Sequence, residues 1–442
     1  MWRRAGIAVL GVAAMAACAP ADDPLDPRLD GVQVEVLAAW SGIEQKRFEA
    51  VLERFTDRTG AMVRYTSAGS AGVPIVLDQR LARGHPPDVA LLPQPGLLRR
   101  LAVEGHLVRL RPRIVAAVRD RYSPVWQRLG SFDGTVYGVW FKAANKSMLW
   151  YDVAAFERAG VVPPTDLDGL RHVARTMSAA GRPAFAVSTA DAWTLTDWFE
   201  ELYLQLAGPR RYDLLANHRI AWTHPSVLRT LRVMATLLSP ENITGGTRGA
   251  RRMTFEESVN LTFGPRHGAA MVHGADFVAG VIGSGTDAEL GVDADAFEFP
   301  GNSDVPVVVG GGDVAVALSA SVAAQQLLAF LATPEAAAVW AARGGLLSPN
   351  VQLDLSVYPD DITRSAARSL LDAGAGFRFD LSDLQPADFG GRDDVGMQPA
   401  LVRFLAHPDA PATAARLEAA AAAAYAAERA AAGSGAGFSG WR

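Results

Sequence analysis

Hydrophobic and polar positions in the first hundred residues follow two periods in turn. Residues 32–39 alternate and then become wholly apolar, which predicts a buried strand. Over 43–58, apolar residues from Phe48 to Phe55 recur at helical spacing, and Gly60 follows as a stop signal. Because further strands and helices alternate after it, we predict an α/β fold with a mainly parallel sheet. These further elements are a strand over 62–65, a helix over 73–83 and a strand over 88–92.

The rest of the chain is richer in helical patterns. Residues 145–305 predict mostly helices and contain several tryptophans. An apolar run over 305–318 is broken by glycines, and we expect its segment 310–313 (GGGD) to form a flexible turn after a strand. Thr333 with Pro334 predicts the capped start of a helix. Other predicted elements are helices over 321–331 and 412–432 and a flexible Gly/Ser-rich tail over 433–442.

The N-terminal segment has the pattern of an export signal. Arg3 and Arg4 precede the apolar residues 5–16, a run shorter than the roughly 20 residues that span a bilayer but suited to a signal-peptide core. Small residues then precede Cys18, the only cysteine, and this MAAC sequence resembles a bacterial lipobox. We therefore expect a signal peptide over 1–17 and a lipidated tether over 18–30. The alternative is a plain secretory signal with an incidental cysteine.

Composition and charge exclude several functional classes. The 442 residues, 49% of them hydrophobic, are enough for two or more globular domains. The net charge is −5 with no basic run, which argues against a nucleic-acid partner. No GxSxG or HExxH motif occurs and the eight histidines are scattered, so no cofactor and no metal site are expected. A glycosidase pair among the 47 carboxylates is not excluded by residue types alone.

Lysine is rare in this chain. Only three of the 42 basic residues are lysines, namely Lys46, Lys142 and Lys146. Two of them fall within residues 141–146 (FKAANK). Arginine does not replace lysine at a tightly built site. Lys142 and Lys146 are therefore candidates for a functional role, with coincidence as the alternative.

Several motifs occur in an order that resembles a known family. They are residues 87–92 (PDVALL), 138–141 (GVWF) with 150–152 (WYD), 268–274 (GAAMVHG), 333–337 (TPEAA) and 344–350 (GGLLSPN). Together they resemble the extracellular solute-binding proteins of carbohydrate ABC transporters, the family that contains maltose-binding protein. Residues 141–146 and 379–384 are most similar to the α-glucoside-binding branch. Residues 392–395 (RDDV) stand where that branch tends to carry an aromatic pair.

The resemblance implies a fold and a function. The expected fold is α/β with two lobes that are joined by crossing strands and close like a hinge. Lobe 1 would take 31–142 and 310–362, and lobe 2 would take 143–309 and 363–432. The expected function is capture of an oligosaccharide, as a monomer and without catalysis, for delivery to the permease subunits in the membrane. The alternatives are a binding protein for a quaternary amine or a glycerophosphodiester, and a lipid-anchored glycoside hydrolase.

A sugar site needs aromatic rings for the faces of the sugar and fixed polar groups for its hydroxyls. Loops and helix starts supply both kinds of residue. Some of the candidates have structural alternatives, which are core packing for the tryptophans and helix capping for Asp380. The candidate ligand-binding residues are Trp40, Ser41, Glu44, Lys142, Trp193, Asp197, Trp198, Asp276, Phe277, Gly312, Asp313, Asp380 and Asp383.

Overall fold

The computed structural model describes residues 29–69, 72–301, 306–391 and 394–433. The predicted signal peptide, the lipidation site at Cys18 and the tail beyond Gly433 lie outside these residues.

A six-stranded sheet forms the core of the first lobe. Its N-terminal strands are β1 (Gln33–Ala38), β2 (Met62–Ser67) and β3 (Val89–Leu92), and β1 pairs in parallel with both of the others. Two helices, α1 (Gly42–Thr59) and α2 (Val73–Ala82), connect them. The predicted α/β fold with parallel strands is confirmed here, because the local apolar periodicity matches the faces that are buried.

Three further strands complete this sheet, and each lies where the chain passes between the lobes. They are β6 (Gly138–Asn145), β11 (Val308–Ala317) and β12 (Phe377–Phe379). The strand order is β12-β11-β3-β1-β2, and β6 pairs antiparallel with β11. The small hairpin of β4 (Ser131–Phe132) and β5 (Thr135–Val136) precedes β6.

The expected turn at 310–313 is wrong. These residues lie within β11 and pair with the end of β6. A Cβ on Gly312 would lie 2.3 Å from the Lys142 carbonyl oxygen, and a Cβ on Gly310 would lie 2.4 Å from the Phe377 ring. Glycine is therefore required for the close approach of the crossing strands rather than for a turn.

The second lobe contains a four-stranded sheet covered by helices. Its strands are β7 (Met148–Asp152), β8 (Phe185–Ala186), β9 (Met271–His273) and β10 (Ala294–Glu298), in the order β10-β7-β9-β8. Its longest helices include α8 (Trp193–Ala216), which is interrupted at Gly208 and Pro209.

The remaining helices surround the two sheets. In order, they are α3 (Pro95–Val103), α4 (Pro112–Arg121), α5 (Pro124–Leu129), α6 (Val153–Ala159), α7 (Leu167–Ala179), α9 (Pro225–Leu237), α10 (Gly246–Ala250), α11 (Phe255–Phe263), α12 (Val278–Gly285), α13 (Val322–Leu331), α14 (Pro334–Ala341), α15 (Asp361–Asp372), α16 (Leu381–Leu384), α17 (Ala387–Gly390), α18 (Met397–Ala406) and α19 (Ala410–Gly433).

The last crossing between the lobes comes later than residue 362, where the sequence analysis placed it. The strand β12 pairs in parallel with β11 in the sheet of the first lobe. The preceding helix α15 also lies on this lobe, where the side-chain amide of Asn145 donates to the carbonyl of Ala366 at 3.1 Å. The chain therefore stays on the first lobe until β12 ends at Phe379, and it enters the second lobe at Asp380. The sequence pattern does not reveal the pairing of β12 with β11.

Within the described residues, no single helix has both the length and the hydropathy of a membrane span. The helices α13 and α14 pass that test only as a pair, across a bend of 65°.

Candidate functional site

The crossing strands β6 and β11 carry a first charged cluster. The Nζ of Lys142 donates to the carboxylate of Glu44 in the first turn of α1. The same Nζ lies 5.1 Å from the centroid of the Trp340 ring and 5.7 Å from that of Trp40. Asp313 on β11 lies opposite Lys142 on β6 in the register of the two paired strands. Burial raises the pKa of Asp313 to about 6, while Lys142 opposes the shift.

A second cluster is centred on Lys146, which follows the end of β6. Its Nζ donates to Oδ1 of Asp197 on α8 at 2.9 Å and also contacts Asp380, which precedes α16. The Lys146 side chain is only 15% exposed. Burial alone would lower the pKa of Lys146, but Asp197 and Asp380 raise it well above its ordinary value. Lys146 therefore remains charged and joins the second lobe to two crossing segments.

The pKa values of Asp197 and Asp380 are shifted in opposite directions within this cluster. Burial raises the pKa of Asp197 to about 7, with Lys146 opposing. Burial would also raise the pKa of Asp380, but Lys146 and hydrogen bonds from neighbouring side chains hold it below its ordinary value. Asp380 also caps α16 by accepting from the backbone and the hydroxyl of Ser382 at 3.2 and 2.7 Å. Asp197 keeps one buried oxygen, Oδ2, that has no hydrogen-bond partner among the described residues.

Two more acids on α8 were missed by the sequence analysis. Glu200 accepts from the backbone N–H groups of Leu381 at 2.7 Å and Ser382 at 3.1 Å. Glu201 accepts from the Ser147 hydroxyl and, at 2.8 Å, from the side-chain amide of Gln205. Both glutamates are fully buried. Their hydrogen bonds join α8 to the crossing segments at residue 147 and at residues 381–382. The available signal was three acidic residues, at i, i+3 and i+4, among the apolar residues of the first part of α8.

Three of these carboxyl groups have the spacing of a cation site. One oxygen each from Asp197, Glu200 and Asp380 lie within 4.8 Å of one another. Lys146 donates to two of the three groups, so its ammonium supplies the positive charge at this position.

Trp193 lies at the edge of the Lys146 cluster. Its ring is half-buried, with its centroid 5.1 Å from that of Phe255 and 6.3 Å from that of Phe277. The Nζ of Lys146 lies 6.0 Å from the Trp193 ring centroid. An aromatic ring that is held by neighbours and still partly accessible has the geometry needed to stack on a ligand.

Two predicted tryptophans occupy core positions. Trp40 is 5% exposed and packs edge-on against Phe48 and Trp340. Trp198 is 2% exposed and is enclosed by Phe185, His273 and Phe299. Their burial agrees with the alternative of core packing and leaves the rings almost no surface for a ligand.

The other candidates lie around the two clusters. Ser41 is exposed at the start of α1 and makes no side-chain cap. Asp276 is buried and accepts from the backbone N–H of Asn145 at 2.8 Å, which fixes the end of β6. Asp383 accepts from the side-chain amide of Gln94 at 2.8 Å. Burial, reinforced by Asp380, raises the pKa of Asp383 to about 8.

Comparison with known proteins identifies the family. Residues 39–338 match the family model of the bacterial extracellular solute-binding proteins. The osmoprotective compounds-binding protein GgtB of Synechocystis is 30% identical over 371 residues, which cover 82% of this chain and 86% of GgtB. The alpha-glucosides-binding periplasmic protein AglE of Rhizobium meliloti is 29% identical over 382 residues, covering 82% of this chain and 81% of AglE.

A solved structure agrees with the architecture described above. The apo form of RafE from Streptococcus pneumoniae superposes with a TM-score of 0.72 at 16% identity, covering 89% of this chain and 98% of RafE. The predicted two-lobe fold is confirmed, as is the family to which the motifs pointed. The chain belongs to the bacterial extracellular solute-binding proteins and is the solute-binding component of an ABC importer.

Proposed function

We propose that this protein binds an uncharged carbohydrate, an α-glucoside of disaccharide size, between its two lobes. The observation that carries this proposal is the half-buried ring of Trp193, which lies 6.0 Å from the Nζ of Lys146, the group that holds the buried carboxylate of Asp197. A ring stacks on the apolar face of a sugar, and a fixed carboxylate accepts hydrogen bonds from its hydroxyls. Aromatic neighbours hold Trp193 and Lys146 holds Asp197, and side chains that are already fixed lower the entropic cost of binding.

The length of the site supports a ligand larger than one ring. Lys142 and Lys146 are four residues apart along an extended strand, a separation of about 13 Å. Each of them holds carboxylates in position, Glu44 for Lys142 and Asp197 with Asp380 for Lys146. Carboxylates therefore lie at two places along this segment, and Glu44 is the most accessible of them, with a side chain that is 39% exposed.

The charges of the site argue against a glycerophosphodiester. Both lysines are paired with carboxylates, so a phosphate would meet acids rather than a free ammonium group among the described residues of the site. They also argue against a quaternary amine, because the ammonium of Lys146 already lies 6.0 Å from the Trp193 ring and would repel a second cation. An uncharged sugar is repelled neither by the carboxylates nor by the ammonium group of Lys146.

One of the two relatives is named for this class of ligand. AglE is named for alpha-glucosides and GgtB for osmoprotective compounds. We propose that the protein binds and releases its ligand unchanged, since Lys146 and the α16 backbone hold Asp380 and Glu200 in structural contacts. On this proposal the protein is a monomer that is anchored by lipid at Cys18 outside the cytoplasmic membrane and passes the sugar to its permease.

A ligand panel tests the proposal. Thermal shift and calorimetry would compare trehalose, sucrose and maltose with glycine betaine and glycerophosphocholine, and chromatography would look for sugar release. We expect stabilisation by a disaccharide, at a 1:1 ratio and without cleavage. Binding of betaine or glycerophosphocholine alone would refute the proposed ligand class, and release of glucose would refute binding without turnover.

A further inference from the structure

A groove on the first lobe lies away from the two charged clusters. It has a volume of about 700 Å³ and is formed by α3, α4, α5 and the β4–β5 hairpin. Its lining includes apolar and basic side chains, among them Leu98, Arg99, Arg119, Arg128, Phe132 and Val136. Cavities of this size commonly bind an organic group of several rings.

The end of α19 reaches the wall of this groove. Arg99, which lines the groove, interacts electrostatically with Glu428 and Tyr425 near the end of that helix. The Cζ of Arg99 also lies 6.0 Å from the centroid of the Phe132 ring inside the groove. The helix itself belongs to the second lobe, where Tyr425 donates to the carbonyl of Ala216 at 2.6 Å. The C-terminal part of α19 therefore lies beside a groove on the other lobe.

The sequence beyond Gly433 has a composition that fits such a groove. Residues 434–442 (SGAGFSGWR) contain two aromatic side chains, Phe438 and Trp441, separated by small residues. Five residues of extended chain span at most about 17 Å and eight span about 28 Å. Gly433 lies five helical residues, about 7.5 Å, beyond Glu428, which interacts with Arg99 in the wall of the groove, so both spans exceed the distance back along the helix to that wall.

We propose that Phe438 and Trp441 of the same molecule dock into the groove formed by α3, α4, α5 and the β4–β5 hairpin. Phe132 and Val136 provide apolar contact for the rings, and the guanidinium groups of Arg99, Arg119 and Arg128 face aromatic rings favourably. A segment attached next to its own binding site has an effective concentration in the millimolar range, so even a weak contact is largely occupied. Docking would tie the second lobe, through α19, to the first.

Hydrogen exchange of the full chain tests this proposal. The Phe438→Ala/Trp441→Ala variant should exchange about tenfold faster than wild type in the backbone of residues 95–136, while α9 on the second lobe stays unchanged. Phe132→Ser, a change at a half-buried position in the groove, should give the same acceleration in the flanking helices. Val162→Ser, at an exposed apolar position elsewhere, is the matched control and should have no effect.

A peptide of sequence GSGAGFSGWR separates docking from indirect effects. Added in excess to the double-alanine chain, it should restore slow exchange in residues 95–136, and it should not do so for the Phe132→Ser chain. Equal exchange of wild type and the double-alanine variant would overturn the proposal. Protection that grows with protein concentration, together with a dimer in sedimentation, would overturn it too, because the groove would then hold the tail of a second copy.

Discussion

The Trp193→Ala substitution separates ligand stacking from core packing in this protein. The Trp193 ring is half-buried, whereas Trp198, five residues further along α8, is 2% exposed. Removing an aromatic anchor from a binding site typically costs about 2 kcal/mol or more, which corresponds to roughly a thirtyfold loss of affinity. We expect that loss for Trp193→Ala with the disaccharide that gives the largest thermal shift in wild type.

The matched variant is Trp198→Phe. The Trp198 ring is enclosed by Phe185, His273 and Phe299. The smaller phenylalanine ring therefore leaves a cavity, which lowers the free energy of unfolding by roughly 1–3 kcal/mol. Ligand affinity should stay within about threefold of wild type, a difference below 1 kcal/mol. Trp193→Ala is therefore predicted mainly to lower the ligand affinity, and Trp198→Phe mainly to lower the free energy of unfolding.

Calorimetry gives the affinities, and denaturant unfolding gives the stabilities. Trp193→Ala also removes the ring contact with Phe255, so some loss of stability accompanies the loss of binding. If Trp193→Ala binds the disaccharide like wild type, the ring only packs against its neighbours and the proposed site is wrong. If Trp198→Phe loses as much affinity as Trp193→Ala, burial is not a valid criterion for assigning these two residues.

Three further substitutions address the ion pairs, the buried acids and the anchor. Lys146→Arg should weaken disaccharide binding at least tenfold, because the bulkier guanidinium does not fit between the carboxylates of Asp197 and Asp380. The control Lys46→Arg, at an exposed position, should have no effect. A calorimetric affinity of Lys146→Arg equal to that of wild type would refute this prediction. Burial raises the pKa of Glu201 to about 7, so the folded state binds more protons than the unfolded state between about pH 4.5 and 7, and stability falls as pH rises through that window. Glu201→Gln should flatten this fall in melting temperatures measured from pH 5 to 8, and an unchanged slope would contradict the assignment. Cys18→Ser should release the protein into the medium, and a variant that stays in carbonate-washed membranes would exclude the lipid anchor.

Local sequence was sufficient for the element order and the family. The alternation of strands and helices in the first hundred residues, and the Thr333–Pro334 helix start, depend on side chains that are near one another along the chain. The structure confirms both, and the Thr333 hydroxyl accepts from the backbone N–H of Ala336 at 3.1 Å. The order of the motifs was likewise readable from the chain and led to the family that the comparisons confirm.

Contacts between distant residues decided the rest. Lys146 contacts partners 51 and 234 positions away, and no periodicity reveals such pairs. The glycines at 310–312 have the composition of a turn, yet β6 and β12 on either side hold them in a strand. Trp40, Trp193 and Trp198 look alike in the sequence, but their exposure depends on which aromatic rings the fold brings around each of them. Residue type and spacing determined which groups were available for a sugar site, and the packing of side chains around each of them determined which remain accessible to a ligand.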